Sequence, residues 1–294
     1  MLRIENLSKT YANGVQALRG VNLTLPHGLF GLLGPNGAGK SSLMRTLATL
    51  QEADTGTAFL GELDVLNDKP AVRRLLGYLP QDFGLYPRID AETLLSHFAR
   101  LKGLRERRQR REVVESLLRL TNLWRVRKQK LGTFSGGMRQ RFGIAQALLG
   151  DPQLIIVDEP TTGLDPEERR RFLNLLARIG EDAVVILSTH LVADVRELCR
   201  AMAIIDRGRV LLEGTPSELV ARLEGRVWRA EIEEPELDQL GDGVTLLSTH
   251  LNAGRTVARV ESGVCPDARF VAAEPDLEDV YFSALRGASL RAAA

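Results

Sequence analysis

The sequence contains little cysteine and almost no excess of charge of either sign. Its two cysteines, Cys199 and Cys265, lie far apart, which excludes a disulfide scaffold and a zinc site built on paired cysteines. Lysine plus arginine number 39 against 38 for aspartate plus glutamate. The formal net charge of +1 therefore gives no general argument for binding nucleic acid or an anionic membrane.

Long hydrophobic segments are also missing. No apolar stretch approaches the roughly 20 residues that a membrane-spanning helix needs, and residues 1–5 carry charges where a secretory signal would be apolar. We therefore expect a cytoplasmic protein that reaches a membrane only through a partner. With 44% hydrophobic and 26% charged residues, the composition is that of a globular protein of one large or two modest domains.

The most informative segment that is present is a glycine-rich loop. It follows an apolar run at 29–33, which predicts a buried strand, and it precedes a helical stripe of leucines over 43–50. Strand, glycine-rich turn and helix start form the context of a phosphate-binding loop. We predict that Lys40 binds the outer phosphates and that Ser41 binds Mg²⁺. The loop consists of Gly34, Pro35, Asn36, Gly37, Ala38, Gly39, Lys40 and Ser41.

The remaining patterns predict an α/β protein with a mostly parallel sheet. Residues 154–157 and 184–187 are continuous apolar runs, which are typical of strands covered on both faces. Between them, Asp165 and Pro166 occupy the capping and first positions of a helix, so the two strands are joined by a parallel crossover. Residues 2–7 and 17–25 are short alternating segments separated by turns, which predict antiparallel strands that lead into the strand of the phosphate loop.

The middle and the end of the chain have a different character. Residues from about 90 to 149 are predicted to be mainly helical, and their basic stretch at 105–111 favours a solvated helix face over a nucleic-acid site. Residues 216–294 begin with a helix-capping pattern, continue with short strands over 226–273 and end in a helix. We expect a small α+β C-terminal extension there, without evident chemistry.

Two adjacent carboxylates, Asp158 and Glu159, follow the strand predicted for 154–157. Ligands bind at the carboxyl edge of a parallel sheet, so this pair and the phosphate loop are expected to meet. We assign Asp158 to Mg²⁺ and Glu159 to the attacking water, as a general base. Without the upstream loop, the same acids would more often simply begin a loop.

The tetrapeptide Ser-Thr-His-Leu occurs twice, at 188–191 and 248–251. The first copy ends a predicted buried strand, one crossover helix after Glu159, so that His190 can reach the terminal phosphate. No such strand precedes the second copy, and His250 is interpreted as a surface or structural residue.

Residues 134–141, Phe-Ser-Gly-Gly-Met-Arg-Gln-Arg, resemble the signature motif of ABC ATPases. The resemblance covers about residues 1–215, with every motif of that family in order. It implies the P-loop NTPase fold of the ABC type, with an N-terminal antiparallel β subdomain and a helical subdomain at about 86–149. Residues 1–215 are then the ATPase domain and 216–294 the extension.

The same resemblance implies a role for each matching residue. Tyr11 would stack on adenine, Gln81 would contact Mg²⁺ and sense a membrane partner, and His190 would be the switch histidine. Residues 163–165 would cross a dimer interface. The implied catalytic residues are Lys40, Glu159 and His190; Ser42 joins the phosphate loop, and Ser135, Gly136, Gly137 and Met138 would bind ATP held by a second chain. A packing role for Tyr11 and a simple helix cap at Ser135 are the alternatives.

The function implied is that of the ATP-binding and ATP-hydrolysing subunit of an ABC transporter, with ATP and Mg²⁺ as ligands. It would act as a homodimer or heterodimer on separate transmembrane permease subunits, peripheral to the inner face of the cell membrane. Residues 81–87 and the helices after them would form the docking surface. Residues 274–281 resemble the tail of subunits that serve bacterial exporters, although a packing helix explains them nearly as well.

Two other functions were compared with this one. A soluble ABC ATPase acting on ribosomes or DNA usually has two nucleotide-binding halves, a long coiled coil or zinc-binding cysteines, whereas this chain has one phosphate loop and two lone cysteines. A regulator that only senses ATP would not need the intact Asp158, Glu159 and His190. The sequence does not reveal the transported substrate.

Overall fold

A computed structural model of the chain describes residues 1–81, 83–161, 164–180, 183–233, 240–241 and 243–293, with side chains through residue 289. Asp82 in the predicted docking segment and Gly163 in the predicted interface loop lie outside these ranges.

The described elements alternate between strands and helices along most of the chain. The strands are β1 (Leu2–Thr10), β2 (Gln16–Leu25), β3 (Gly28–Leu33), β4 (Thr55–Leu60), β5 (Leu63–Asp64), β6 (Leu76–Leu79), β7 (Leu154–Asp158), β8 (Val184–Thr189), β9 (Ala201–Asp206), β10 (Arg209–Gly214), β11 (Val227–Glu231), β12 (Thr245–Asn252), β13 (Arg255–Glu261) and β14 (Val271–Ala272). The helices are α1 (Lys40–Leu47), α2 (Lys69–Leu75), α3 (Ala91–Leu101), α4 (Arg107–Leu120), α5 (Gly136–Ala147), α6 (Pro166–Ile179), α7 (Val192–Leu198), α8 (Pro216–Ala221) and α9 (Leu277–Ala293), with short 3₁₀ turns at Trp124–Val126 and Leu131–Thr133.

The central sheet carries the candidate site. Its strand order is β10-β9-β3-β8-β7-β6, and every neighbouring pair from β9 to β6 is parallel, whereas β10 pairs with β9 antiparallel. All residues of β3, β7 and β8 are buried, as their continuous apolar sequences predict. The parallel crossover predicted between β7 and β8 is confirmed.

An antiparallel sheet in the order β2-β1-β4-β5 covers one face of the central sheet. Alternate residues of β1 and β2 are buried with α1 in one hydrophobic cluster, which also includes Phe30 and Ile186 of the central sheet. The antiparallel strands predicted ahead of the phosphate loop are confirmed as β1 and β2, and β3, which leads into the loop, belongs to the parallel sheet.

The predicted leucine stripe over 43–50 is wrong at its end. Helix α1 stops at Leu47, Thr49 adopts a left-handed conformation with φ of 61°, and the side chain of Leu50 is 59% exposed. A residue in that conformation cannot continue a right-handed helix, so Leu50 leaves the buried face.

Helix α6 has the bounds that its capping residues predict. Asp165 accepts a hydrogen bond from the Glu168 amide at 2.8 Å, Pro166 is the first helical residue, and the helix ends before Gly180. Thr215 and Glu218 form a capping box at the start of α8. Local sequence therefore determines where these helices begin.

Helices α3, α4 and α5 enclose a hydrophobic cluster of their own, in which Leu95, Leu118 and Phe142 are fully buried. Helix α5 also packs on β6 and α6, which connects these helices to the central sheet. The helices predicted between about 90 and 149 are therefore present.

The C-terminal residues add an antiparallel sheet in the order β12-β13-β11-β14, and α9 packs between it and helices α7 and α8. Leu277, Val280 and Tyr281 of α9 are buried in the same cluster as Ile204 of β9. None of the helices in the described ranges is long and apolar enough to cross a membrane.

Candidate functional site

The glycine-rich loop joins β3 to α1 at the carboxyl edge of the central sheet. Gly37 and Gly39 have φ values of 80° and 108°, in the region that glycine adopts most readily. A Cβ at Gly39 would also lie 2.5 Å from the carbonyl oxygen of Ala17. The backbone therefore requires glycine at position 39, directly before the first residue of α1.

Lys40 is the first residue of α1 and is 5% exposed. Its Nζ donates hydrogen bonds to the carbonyl oxygens of Gly34 at 2.6 Å and Pro35 at 3.2 Å, and it lies 3.7 Å from Oε1 of Glu159. Burial lowers the pKa of Lys40, while the charges of Glu159 and Asp158 act in the opposite direction. A buried ammonium group inside a loop of amides is suited to an anionic ligand.

The acidic pair lies at the end of β7, on the same edge. Asp158 is 5% exposed, and its Oδ1 has no hydrogen-bond partner among the described residues. Glu159 adopts φ of 47°, and its amide donates to the carbonyl oxygen of Ser188 in β8. A left-handed conformation is strained for glutamate, and such strain clusters at functional sites.

His190 follows β8 and contacts the same carboxylate. Its Nδ1 lies 2.8 Å from Oε2 of Glu159, although the ring is 45% exposed. Glu159 thus lies between the Lys40 ammonium and the His190 imidazole. The predicted catalytic residues Lys40, Glu159 and His190 are brought together by the fold.

Tyr11 contacts α1 and the segment that follows it. Its hydroxyl is 3.0 Å from Oγ of Ser42 and donates to Oε1 of Gln51 at 3.1 Å. Gln51 in turn donates to the carbonyl oxygen of Ser42 and to the hydroxyl of Thr46. No sequence pattern pointed to Gln51, because this residue lies in an irregular segment after α1.

A cleft of about 460 Å³ lies at the glycine-rich loop, and Asp158 and His190 are not among its lining residues. Its lining includes Tyr11, every loop residue from Pro35 to Ser42, Gln81 and Glu159. Arg19 and Arg207 also line it, and sequence reasoning missed both. The lining of the cleft therefore combines an aromatic ring, the residues of the glycine-rich loop and a carboxylate. A larger cleft of about 860 Å³ beside β10 shares Arg19 and Arg207 but contains none of the predicted site residues.

The signature residues Ser135, Gly136, Gly137 and Met138 are not among those that line the 460 Å³ cleft. Ser135 is the N-cap of α5, and its hydroxyl accepts a hydrogen bond from the amide of Met138 at 3.2 Å. The helix-cap alternative for Ser135 is therefore a structural fact. A ligand-binding role for these four residues stays a prediction.

The fold also places buried polar side chains behind the acidic pair. Asp194 of α7 is fully buried and contacts Thr161 and Arg169. Sequence reasoning missed these three residues. Their signal was slight: Asp194 lies four residues after His190, and Thr161 lies two residues after Glu159.

Comparison with known proteins gives consistent relatives. Residues 18–162 match the family model described as ABC transporter. The chain is 35% identical over 227 residues to the linearmycin resistance ATP-binding protein LnrL of Bacillus subtilis, covering 76% of this chain and 72% of that protein. It is 36% identical over 270 residues to the daunorubicin/doxorubicin resistance ATP-binding protein DrrA of Streptomyces peucetius, covering 91% and 80%. These relatives favour a transporter subunit over an ATPase acting on ribosomes or DNA.

The solved structures that are similar to this chain are also ATP-binding cassettes or subunits of ABC transporters. A dimeric post-hydrolysis state of an ATP-binding cassette bound to ADP and Pi matches 73% of this chain and 98% of its own, with a TM-score of 0.66 and 27% identity. The P-loop NTPase fold predicted from the motifs is confirmed. The chain belongs to the ABC transporter family, as an ATP-binding and ATP-hydrolysing subunit.

Proposed function

We propose that the 460 Å³ cleft binds ATP together with Mg²⁺, and that Glu159 is the general base for hydrolysis. The observation that carries this proposal is the position of the Glu159 carboxylate, 3.7 Å from the Lys40 ammonium and 2.8 Å from the His190 imidazole. Lys40 and the loop amides bind the outer phosphates, Tyr11 packs on the base, and Glu159 accepts a proton from the attacking water. His190 orients the carboxylate.

The residues present fit a magnesium ion. Oδ1 of Asp158 is a buried carboxylate oxygen without a hydrogen-bond partner in the described part of the chain, and oxygen ligands are what Mg²⁺ prefers. Asp158, Ser41 and Gln81 would hold the ion. When bound, it supplies positive charge that neutralises the phosphate oxygens.

Ser135, Gly136, Gly137 and Met138 are inferred to contact ATP held by a second copy of an ATP-binding subunit. Their place outside the cleft supports this, because they are then free to serve another chain's nucleotide. A related cassette bound to ADP and Pi is dimeric, which supports a dimer for this chain. Either a homodimer or a heterodimer is compatible with the intact set of motifs.

Membrane permease subunits are the proposed partners, and they would place the chain at the inner face of the membrane. Helices α3 to α5 form the proposed helical subdomain, at about 86–149, within an ATPase domain at 1–215 and ahead of an extension at 216–294. The drug-resistance relatives support export as the direction of transport. Co-purification of the tagged chain with a hydrophobic membrane protein tests this part.

Glu159→Gln tests the proposed chemistry. Glutamine keeps the size and can hydrogen-bond His190, but it cannot accept a proton from water. We expect ATP binding to persist while turnover falls by roughly 10²–10⁴-fold. Glu115→Gln is the matched control, since Glu115 pairs with Arg119 on the surface of α4. Wild-type turnover in the Glu159 variant would refute the assignment of the base.

A further inference from the structure

Asp194 is a buried charge that the proposed chemistry does not use. Its side chain is fully buried in α7. Oδ2 accepts a hydrogen bond from the hydroxyl of Thr161 at 2.8 Å, and Oδ1 accepts from Nε of Arg169 at 2.8 Å and from its terminal nitrogen at 2.6 Å. Both carboxylate oxygens are therefore engaged.

The two partners of Asp194 both follow β7, the strand that leads to Glu159. Thr161, itself 4% exposed, lies two residues after Glu159, and Arg169 lies in the first half of α6. Asp194 lies four residues after His190, in the first turn of α7. The segment after β7 thus contacts the segment after β8 through Glu159 and His190 and, in the interior, through Thr161 and Asp194.

A buried carboxylate is a costly way to fill an interior position. Removing such a charge from water costs several kcal/mol, and a hydrophobic residue of similar volume would often be as stable or more so. The carboxylate instead fixes the positions of its partners, because charge-assisted hydrogen bonds hold the Thr161 hydroxyl and the Arg169 guanidinium in a defined geometry. That property matters most next to Glu159, whose left-handed backbone needs support from its surroundings.

We propose that Asp194 is a positioning residue for ATP hydrolysis, which holds Thr161 in place and thereby keeps the Glu159 carboxylate in register with His190. This inference rests on the roles proposed above for Glu159 and His190. Asp194 is fully buried, so it affects the rate of hydrolysis only through the residues after β7 that it contacts.

Asp194→Asn is the primary test, because asparagine has the same shape but lacks the charge that Arg169 requires. We expect kcat of the full chain to fall on the order of 10²-fold, as small misplacements of reacting groups do, while ATP affinity measured at equilibrium stays within about twofold. Asp279→Asn is the matched control. Asp279 is 1% exposed and accepts from Nε of Arg259 at 2.8 Å, far along the chain in α9. Its variant should lose thermal stability but keep kcat.

Thr161 provides a second test that does not depend on the folding of an Asp194 variant. Thr161→Val removes only the hydroxyl, and Thr161→Ser restores it. We expect kcat to fall by about tenfold in the valine variant and to recover in the serine variant. Equal kcat in the two variants would overturn the inference, as would an Asp194→Asn protein with wild-type kcat.

The combination with His190→Ala separates positioning from general weakening. If Asp194 acts by aligning Glu159 with His190, its substitution should cost much less kcat once the imidazole is gone. In a Tyr11→Ala background, by contrast, Asp194→Asn should lower kcat by the same factor as in the wild type. The same factor in the His190→Ala background as well would contradict the proposal. If Glu159→Gln keeps wild-type turnover, the proposed role of Glu159 is wrong. If Glu159→Gln is inactive but Asp194→Asn keeps wild-type kcat, only the inference about Asp194 is wrong.

Discussion

The carboxyl group of Glu168 lies against the Cα of Gly137, where a side chain would begin. A Cβ at Gly137 would be 2.6 Å from Cδ of Glu168. The same carboxylate is paired with Arg141 at 3.1 Å, and Arg141 is 9% exposed. The first turn of α5 thus packs on α6 through a contact that leaves no room for a Cβ at position 137 unless Glu168 moves.

The first prediction concerns this contact. Gly137→Ala should destabilise the protein by about 1–3 kcal/mol, because Glu168 must move and loosen its pairing with Arg141. Gly136→Ala is the control, since a Cβ there meets no atom within 4 Å. Urea unfolding without nucleotide measures both. Equal stability of the two variants would mean that Glu168 moves aside without cost.

A second prediction concerns the duplicated tetrapeptide. His190→Ala should lower kcat on the order of 10²-fold with a small effect on ATP affinity, because Glu159 loses the imidazole that contacts its carboxylate at 2.8 Å. His250→Ala replaces an exposed residue of β12 and should leave steady-state ATPase kinetics unchanged. A loss in both variants would show that this sequence repeat has a shared role.

The third prediction separates the base from the phosphates. Tyr11→Ala should weaken ATP binding by about 1–3 kcal/mol through lost stacking, while affinity for tripolyphosphate, which has no base, stays constant. Tyr11→Phe keeps the ring but loses the hydrogen bonds to Ser42 and Gln51, so it should lie between wild type and Tyr11→Ala. Calorimetric titration with both ligands measures this. Equal losses for both ligands would assign Tyr11 to packing of the loop instead.

Thiol chemistry provides a fourth prediction. Cys199 is 7% exposed, and burial, together with the nearby charge of Asp194, raises its pKa to about 12, whereas Cys265 is exposed. At neutral pH an alkylating reagent should modify Cys265 alone, and Cys199 should react only after unfolding, because the thiolate is the reactive form. Peptide mass spectrometry reads out both sites, with Cys265→Ser as the control. Rapid labelling of Cys199 in the native protein would contradict its burial.

Several parts of the site were predictable because their signals are local. The apolar run of β3, the glycines of the loop and the caps of α6 lie within a few residues of the structure they specify. Local signals fail at the end of α1. The leucine spacing continues to Leu50, but the left-handed conformation of Thr49 ends the helix before it.

The sequence by itself determined the order of strands and helices around the phosphate loop and the edge at which the acids would lie. Backbone conformation, capping and hydrophobic periodicity depend on neighbouring residues, so a linear pattern is enough to reveal them. Tertiary structure alone decided that Gln51 holds Tyr11, that Glu168 packs against Gly137 and that Asp194 holds Thr161. A buried polar group forms its hydrogen bonds with the elements that pack against it. Those elements lie far apart in the chain, so a local sequence pattern does not reveal the partner.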